Sequence, residues 1–218
     1  MAVLDIHGHH LRRSADIAKF QMEVQLEKRF LSPLDVIRVL NREKISFVLV
    51  GAYGLAGWRT QARATEDVDV VVAARQVAKA VRVLVKAFPY LEPDDTEVVV
   101  RLRDKETKQV AIDVMKPLQV PYNVIFKHTK KIDSEKESYR VPTLEMALTC
   151  KFAPMISLMR VDKKKLIDAS DFIDIVEKNG DAIDLDVLAE LGDVVYNGGG
   201  KEIVELVRKV RAGEKLTL

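Results

Sequence analysis

Residues 47–72 read FVLVGAYGLAGWRTQARATEDVDVVV and contain two predicted strands joined by a short helix and a polar segment. The first strand, Phe47 to Val50, is wholly apolar and bounded by Gly51, which is typical of a short buried strand. The second, Val68 to Val72, consists mainly of β-branched valine. Where a strand leads directly into a helix, the start of the helix presents free backbone amides and the positive end of the helix dipole. Phosphate is a natural ligand there, and glycine allows close approach.

Two acidic residues stand at the start of the second strand. Asp67 and Asp69 are two positions apart, so their side chains point to the same side with Cα atoms roughly 6.5–7 Å apart. The valines that alternate with them face the core. Farther along, Asp113 is flanked by Ile112 and Val114 in another predicted strand. If that strand lies beside the first, about 4.8 Å away, the carboxylate of Asp113 joins the pair.

Three converging carboxylates repel one another unless a cation neutralises them. Mg²⁺ suits such a group because it prefers oxygen ligands and shares itself between carboxylates and phosphates. Two ions about 3.5–4 Å apart can hold the entering and leaving oxygens of a phosphoryl displacement. We therefore expect Asp67 and Asp69 to be metal ligands. Asp113 either holds a second metal ion or acts as a base toward the acceptor hydroxyl.

The rest of the chain supplies helices and strands in a mixed order. A helix is predicted over 33–42, because Ser32 can cap it and Pro33 suits its first position. A second helix is predicted over 77–88, a strand hairpin over 97–115, and four helices after Pro142. This order predicts an α+β fold, with a mixed β-sheet flanked by helices and a helical C-terminal region. The expected divisions are a weakly patterned polar lead segment at 1–31 with helix near 17–29, an α/β domain at 32–141 and a helical domain at 142–218.

Composition excludes several classes of protein. The 218 residues include 35 Lys and Arg against 33 Asp and Glu, so the net charge of +2 gives no general argument for a nucleic-acid binder. The single cysteine, Cys150, excludes an internal disulfide and a multi-cysteine zinc site. No apolar run approaches the ~20 residues that span a bilayer. We expect a cytoplasmic protein that does not associate with a membrane.

The combined pattern resembles the nucleotidyltransferase-fold superfamily. Its pattern is a glycine followed by Gly or Ser, then an acidic-x-acidic pair, then a third acidic residue on a later strand. The fuller string Gly-x-x-x-Leu-x-x-x-Arg-x-x-x-Arg-x-Thr-x-Asp-x-Asp resembles an uncharacterised bacterial and archaeal branch that includes relatives of AbiEii-type toxin proteins. The C-terminal part is similar to that branch too, in Pro142-Thr143-x-Glu145, Lys151 and Lys165-x-x-Asp168-x-x-Asp171.

The resemblance implies an enzyme that transfers a nucleoside monophosphate from a nucleoside triphosphate to an acceptor and releases pyrophosphate. It assigns the metal and catalysis to the three aspartates and gives nucleotide contacts to Gly51, Ala52, Arg63, Thr65 and Lys151. The acceptor is left open between RNA, a protein hydroxyl and a small molecule such as an aminoglycoside. A homodimer or a complex with a partner protein is also left open.

One position departs from the superfamily pattern. Ala52 stands where active members usually carry Gly or Ser, and its methyl group cannot donate a hydrogen bond to phosphate. This departure supports an alternative function on the same fold. The chain would then be a non-catalytic nucleotide-binding protein, or one half of a toxin–antitoxin or phage-defence pair.

Several other polar residues have two interpretations. Arg63 either pairs with the acidic residues or clamps a triphosphate. Thr65 is expected to brace Asp67 through its hydroxyl. Lys151 is either a surface lysine or a contact to nucleotide. Arg59 and the pair Asp168 and Asp171 are expected at the surface. The charged segment at 127–136 is expected to be an exposed loop, and the histidines at 7, 9 and 10 to lie in a mobile tail.

Overall fold

A computed structural model describes residues 2–24, 30–61, 63, 65–134 and 137–216; for residues 2–7 and 21–24 it describes only the backbone. The helices and strands follow in chain order: α1 (Ala2–Val24), α2 (Pro33–Arg42), β1 (Phe47–Leu49), α3 (Gly51–Gly54), β2 (Val68–Val72), α4 (Val77–Ala87), β3 (Leu91–Asp95), β4 (Val99–Asp104), β5 (Val110–Met115), β6 (Thr129–Asp133), β7 (Ser138–Pro142), α5 (Leu144–Ile156), α6 (Asp162–Asn179), α7 (Leu185–Val195) and α8 (Gly199–Arg211).

The chain forms two compact units. The sheet unit comprises Met1–Gly57, Gln61–Gln119 and Thr129–Val141, and the helical unit comprises Trp58–Thr60, Val120–His128 and Pro142–Leu218. The fold is therefore α+β, with a mixed sheet flanked by helices and a set of C-terminal helices, as predicted. The three domain limits expected from the sequence remain predictions.

A five-stranded sheet in the order β1-β2-β5-β4-β3 forms the centre of the sheet unit. Strands β2 and β5 pair in parallel, and the other neighbours are antiparallel. The valines of β2 that alternate with Asp69 are fully buried and join one apolar core with side chains of α2 and α4. The polar side chains of β2 and β5 therefore lie on the opposite face of the sheet from this core.

The pattern of apolar residues in the sequence predicted most of these helices and strands. Helix α2 begins as predicted, with the Ser32 hydroxyl accepting a hydrogen bond from the Leu34 amide and Pro33 in the first turn. Strand β3 was not predicted. Its sequence, LEPDD, is polar and contains a proline, which sheets tolerate at an edge, and β3 is the edge strand beside β4.

Helix α1 is a second difference from the sequence analysis, which predicted a weakly patterned polar lead with helix only near 17–29. The buried positions of this helix include small residues, Gly8, Ser14 and Ala18 beside Leu11, so its apolar stripe is narrow. His10 is not in a mobile tail either, because it lies in α1 with Nδ1 3.0 Å from the carbonyl oxygen of Ala56. Positions 25–29 lie outside the described residues.

The segment at 127–136 was predicted to be an exposed loop, and this prediction was wrong. Strand β6 pairs with β7 in a two-stranded sheet, and Ile132 is buried. Its neighbours in β6 are polar, so a single inward-facing residue gave the sequence pattern little contrast. Residues 135 and 136 lie outside the described residues.

In the helical unit, α7 and α8 approach each other at glycines. A Cβ on Gly192 would lie 2.7 Å from the carbonyl oxygen of Gly199, and a Cβ on Gly200 would meet the carbonyl oxygen of Ala189. The glycines therefore allow backbone to pack on backbone. None of the helices in the described part of the chain combines the length and apolar character needed to cross a bilayer.

Candidate active site

Three aspartates from β2, β5 and the residue preceding β2 converge on one face of the sheet. In the parallel pairing of β2 with β5, Asp69 lies directly opposite Asp113. Asp67, two residues before Asp69, points to the same side. One carboxylate oxygen from each of the three residues lies within 4.8 Å of the others, and all three side chains are half-buried. The expectation that Asp113 would join the pair is confirmed.

Gly51 is fitted tightly against this group, which we call the acidic triad (Asp67, Asp69, Asp113). It follows β1 and has φ of +60°, a conformation that favours glycine. A Cβ at this position would overlap the Asp69 carboxylate, lying 2.7 Å from Cγ. The Val50 amide also donates to the Asp69 carbonyl oxygen at 3.0 Å. Only glycine therefore leaves the Asp69 side chain in its present position.

A chain of hydrogen bonds positions Asp67. The Thr65 hydroxyl donates to Asp67 Oδ1 at 2.5 Å, as the sequence predicted. The hydroxyl of Tyr53 in α3 in turn donates to the Thr65 carbonyl oxygen at 3.3 Å. Burial raises the pKa of Tyr53, and the negative charges of Asp67 and Asp69 raise it further, so this hydroxyl stays protonated as a donor. Tyr53 has no distinguishing pattern in the sequence, because it is an aromatic residue in a short apolar helix.

Arg101 of β4 is the second residue near the triad that sequence analysis missed. It pairs in register with Asp113, and its Nε lies 3.9 Å from Asp113 Oδ1. The alternation of apolar and charged residues at 100–103 would have placed Arg101 on one face, but only the strand order identifies that face as the one carrying the triad.

The other predicted nucleotide contacts of the sheet unit, Ala52 and Arg63, are close in sequence to residues of the site. They differ in how far their side chains are exposed to solvent. Ala52 follows Gly51 in α3 and is buried at 4% exposure, so its methyl group is part of the packed interior. Arg63 is half-buried in the segment between α3 and β2. The choice between an ion pair and a triphosphate clamp for Arg63 stays open, as does each predicted nucleotide contact.

Lys151 lies in α5 of the helical unit, with its ammonium group between two carboxylates of α6. Its Nζ is 3.0 Å from Asp168 Oδ1 and 2.7 Å from Asp171 Oδ2, and all three residues are buried. The predicted surface location of Asp168 and Asp171 was therefore wrong. The three-residue spacing of Asp168 and Asp171 is compatible with an exposed helix face and with a buried one. Only the packing of α6 against α5 shows that this face is buried. Nucleotide contact by Lys151 remains a prediction.

Arg59 was also expected at the surface and is instead 9% exposed. Its guanidinium contacts Asp171 Oδ1 at 3.1 Å and Asp174 Oδ2 at 3.2 Å. Arg160 adds a hydrogen bond to Asp168 Oδ2 at 2.7 Å. Buried charges require such partners, because an unpaired ion in the interior is costly. The helical unit thus contains a balanced ionic network formed by Arg59, Lys151, Arg160, Asp168, Asp171 and Asp174.

The acidic triad has the composition of a site for a hard divalent cation. It offers carboxylate oxygens from three residues, all partly open to solvent. Oxygen ligands suit Mg²⁺, which retains water and binds through one or two carboxylates together with substrate phosphates. Gly51 packs against the Asp69 carboxylate and so holds one of the three metal-binding groups in position. The residues therefore fit the metal that the resemblance implies, and Asp67, Asp69 and Asp113 would hold it.

Comparison with known proteins supports the fold. No protein-family model matches the chain, and no curated protein matches by sequence. A crystal structure of an antigenic nucleotidyltransferase-like protein from Paracoccidioides brasiliensis is similar, with a TM-score of 0.51 and 18% identity over 84% of this chain and 92% of that one. A protein from Thermotoga maritima, provisionally described as a nucleotidyltransferase, has a TM-score of 0.41 and 14% identity over 61% of this chain and 86% of that one. The likeness to the Paracoccidioides brasiliensis protein shows that the chain has a nucleotidyltransferase-like fold.

Proposed function

We propose that this protein is a metal-dependent nucleotidyltransferase. The observation that carries the proposal is the convergence of Asp67, Asp69 and Asp113 from neighbouring strands, with their carboxylate oxygens within 4.8 Å. Three like charges at this spacing are unfavourable without a compensating cation. The strand β1, Gly51 and short helix α3 beside them match the order expected for nucleotide binding in a nucleotidyltransferase-like fold.

In the proposed reaction, an acceptor hydroxyl attacks the α-phosphorus of a nucleoside triphosphate. A new phosphorus–oxygen bond forms, the bond to the β-phosphate oxygen breaks, and pyrophosphate leaves. The hydroxyl proton passes to Asp113 or to solvent. A bound Mg²⁺ supplies charge neutralisation for the phosphates. The chain's own contribution is positioning: Thr65 and Tyr53 orient Asp67, and Gly51 leaves room for Asp69.

The finer assignments belong to the same proposal. They are the use of two metal ions, a cytoplasmic location and the kinship with AbiEii-type proteins. That kinship rests on the string from Gly51 to Asp69 and on the motifs around Lys151 and Asp168. The acceptor is an RNA, a protein or a small molecule.

The direct test combines calorimetry with a pyrophosphate assay. Wild-type protein is titrated with Mg²⁺ and then with ATP, GTP, CTP and UTP, and the titrations are repeated with Asp67→Asn and Asp69→Asn. We expect one nucleotide to bind in the presence of Mg²⁺ and both variants to lose metal binding. Asp133→Asn is the matched control, because Asp133 pairs with Lys131 at the surface. Absence of nucleotide binding by the wild type at millimolar concentration would end the proposal.

One observation favours a second candidate, a non-catalytic nucleotide-binding or partner-binding protein. Ala52 has no hydroxyl and is buried, so only its backbone amide can donate a hydrogen bond to a phosphate. This candidate predicts nucleotide binding or a stable complex with a partner protein, but no pyrophosphate release. A pyrophosphate assay of the wild type, combined with co-purification of a partner protein, separates the two, because only the enzyme releases pyrophosphate.

A further inference from the structure

Arg101 occupies the next strand position beyond the acidic triad. Asp69 of β2 lies opposite Asp113 of β5, and Asp113 lies opposite Arg101 of β4. Residues directly opposite in neighbouring strands point to the same face of a sheet. The three side chains therefore form a row across one face, with Gly51 at one end beside Asp69 and Arg101 at the other end beside Asp113.

The guanidinium of Arg101 is only loosely engaged. Its Nε is 3.9 Å from Asp113 Oδ1, which is beyond hydrogen-bonding distance, and its side chain is 36% exposed. Within the described part of the chain, no hydrogen bond from this guanidinium is observed. Arg103, two residues farther along β4, contrasts with it. Its Nε donates to Asp94 Oδ2 at 3.0 Å, and its Nη1 donates to the Lys108 carbonyl oxygen at 3.3 Å.

A loosely held arginine beside a cation site has a chemical consequence. A positive charge next to a divalent ion is repulsive, so Arg101 makes ion binding at the triad alone less favourable. The combination becomes favourable when an anion bridges the two cations. Phosphate is an anion that a planar guanidinium binds well, through paired N–H donors.

We propose that Arg101 binds a phosphate group of the substrate held at the acidic triad. This inference rests on the proposed function and extends it to a residue that the sequence motifs do not include. The phosphate has two sources, the nucleoside triphosphate or a polynucleotide acceptor. Arg101 lies next to Asp113, at the far end of the row from Gly51. Its guanidinium can therefore contact a ligand that is bound beside Asp113.

The test compares Arg101→Gln with Arg103→Gln, a matched substitution on the same strand and face. Each variant and the wild type is titrated with three probes. They are Mn²⁺ alone, the α,β-methylene analogue of the nucleotide that the wild type binds with Mg²⁺, and a fluorescent single-stranded RNA dodecamer at low salt. We expect Arg101→Gln to weaken at least one of the two phosphate probes by about 10- to 100-fold, the effect of losing a charge-assisted hydrogen bond. Arg103→Gln should stay near the wild type.

The Mn²⁺ titration separates binding from positioning. Loss of the repulsive charge should leave Mn²⁺ affinity equal or raise it by about three- to tenfold. Weaker Mn²⁺ binding by Arg101→Gln would mean that the residue only orients Asp113, and would overturn the inference. Unchanged affinity for both phosphate probes would overturn it too.

The same titrations distinguish this inference from the proposed function. If the wild type binds no nucleotide, the proposed function fails and the inference fails with it. If the wild type binds nucleotide and Arg101→Gln binds as well, only the inference fails. A loss confined to the analogue assigns the phosphate to the nucleotide, and a loss confined to RNA assigns it to the acceptor.

Discussion

At two positions, Gly51 and Cys150, the neighbouring side chains and backbone limit which residue the fold accepts. Gly51 is the strongest case, since its positive φ and its contact with the Asp69 carboxylate each exclude a side chain. Cys150 is constrained differently: it is buried in α5, next to a lysine that forms ion pairs with two aspartates. Each residue gives a prediction that depends on its immediate surroundings.

Gly51→Ala should abolish divalent-metal binding and lower the free energy of unfolding by about 1–3 kcal/mol, because it adds backbone strain and displaces Asp69. Gly198→Ala is the control, since Gly198 also has a positive φ, +97°, but nothing lies within 4 Å of its added Cβ. It should lose stability and keep metal binding. Calorimetric titration with Mn²⁺ and urea unfolding measure the two effects. Normal Mn²⁺ binding by Gly51→Ala would contradict the assigned role.

Burial raises the pKa of the Cys150 thiol to about 12, against an ordinary value of 9.0, although the charge of Lys151 lowers it in part. The folded protein therefore keeps this proton above pH 9, where the unfolded chain releases it. Since the folded state binds more protons there, the free energy of unfolding should fall as pH rises above 9. Cys150→Ala should flatten that slope in urea titrations. Rapid reaction of the native thiol with Ellman's reagent at pH 8 would show that it is not enclosed.

At the scale of elements, buried apolar side chains hold both units together, and the helical unit adds ion pairs to them. The sheet unit joins strands through their ladders and an apolar core beneath β2 and β5. In the helical unit, the ionic network links α6 to Lys151 of α5 and to Arg59 in the short segment at 58–60. Buried ion pairs contribute little net stability when intact, but removing one partner leaves uncompensated charge.

Lys151→Met should therefore destabilise the protein by about 3–5 kcal/mol, because Asp168 and Asp171 would lose their shared cation in a buried site. Lys131→Met is the matched control. Lys131 pairs with Asp133 at 2.7 Å, but both side chains are more than half exposed, at 58% and 63%. Such surface pairs contribute roughly 0–1 kcal/mol. Equal losses in urea unfolding for the two variants would contradict burial of the network.

At the scale of the whole molecule, the charges of the chain nearly cancel, yet they are distributed unevenly between local sites. The net charge is +2, while the acidic triad concentrates three carboxylates on one face of the sheet. Neutralising that concentration should stabilise the entire folded chain, because the unfolded chain does not hold the carboxylates together.

Mg²⁺ should raise the thermal midpoint through this linkage. At tenfold excess over its dissociation constant, the gain is about 1.4 kcal/mol. For a chain of this length that corresponds to about 3–6 °C. Asp69→Asn should remove the shift, and its midpoint in EDTA should equal or exceed that of the wild type because repulsion is reduced. Differential scanning calorimetry at constant ionic strength measures both. A similar Mg²⁺ shift in Asp69→Asn would place the ion elsewhere.

The sequence by itself determined the local elements and the chemical type of the site. Alternating valines fixed the strand at 68–72, and the capping pattern of Ser32 and Pro33 fixed the start of α2, because these signals act between residues close in the chain. The acidic pair and the later Asp113 were recognisable by residue type and spacing. The contact between Thr65 and Asp67 followed for the same reason, since only two residues separate them.

The tertiary structure alone decided which distant residues share a face or a pocket. The parallel pairing of β2 with β5 brings Asp113 to Asp69, and the antiparallel pairing of β5 with β4 adds Arg101. Likewise, the buried state of Asp168 and Asp171 depends on packing between helices. Strand order and helix packing depend on the summed burial of many side chains, and no single stretch of sequence carries that sum.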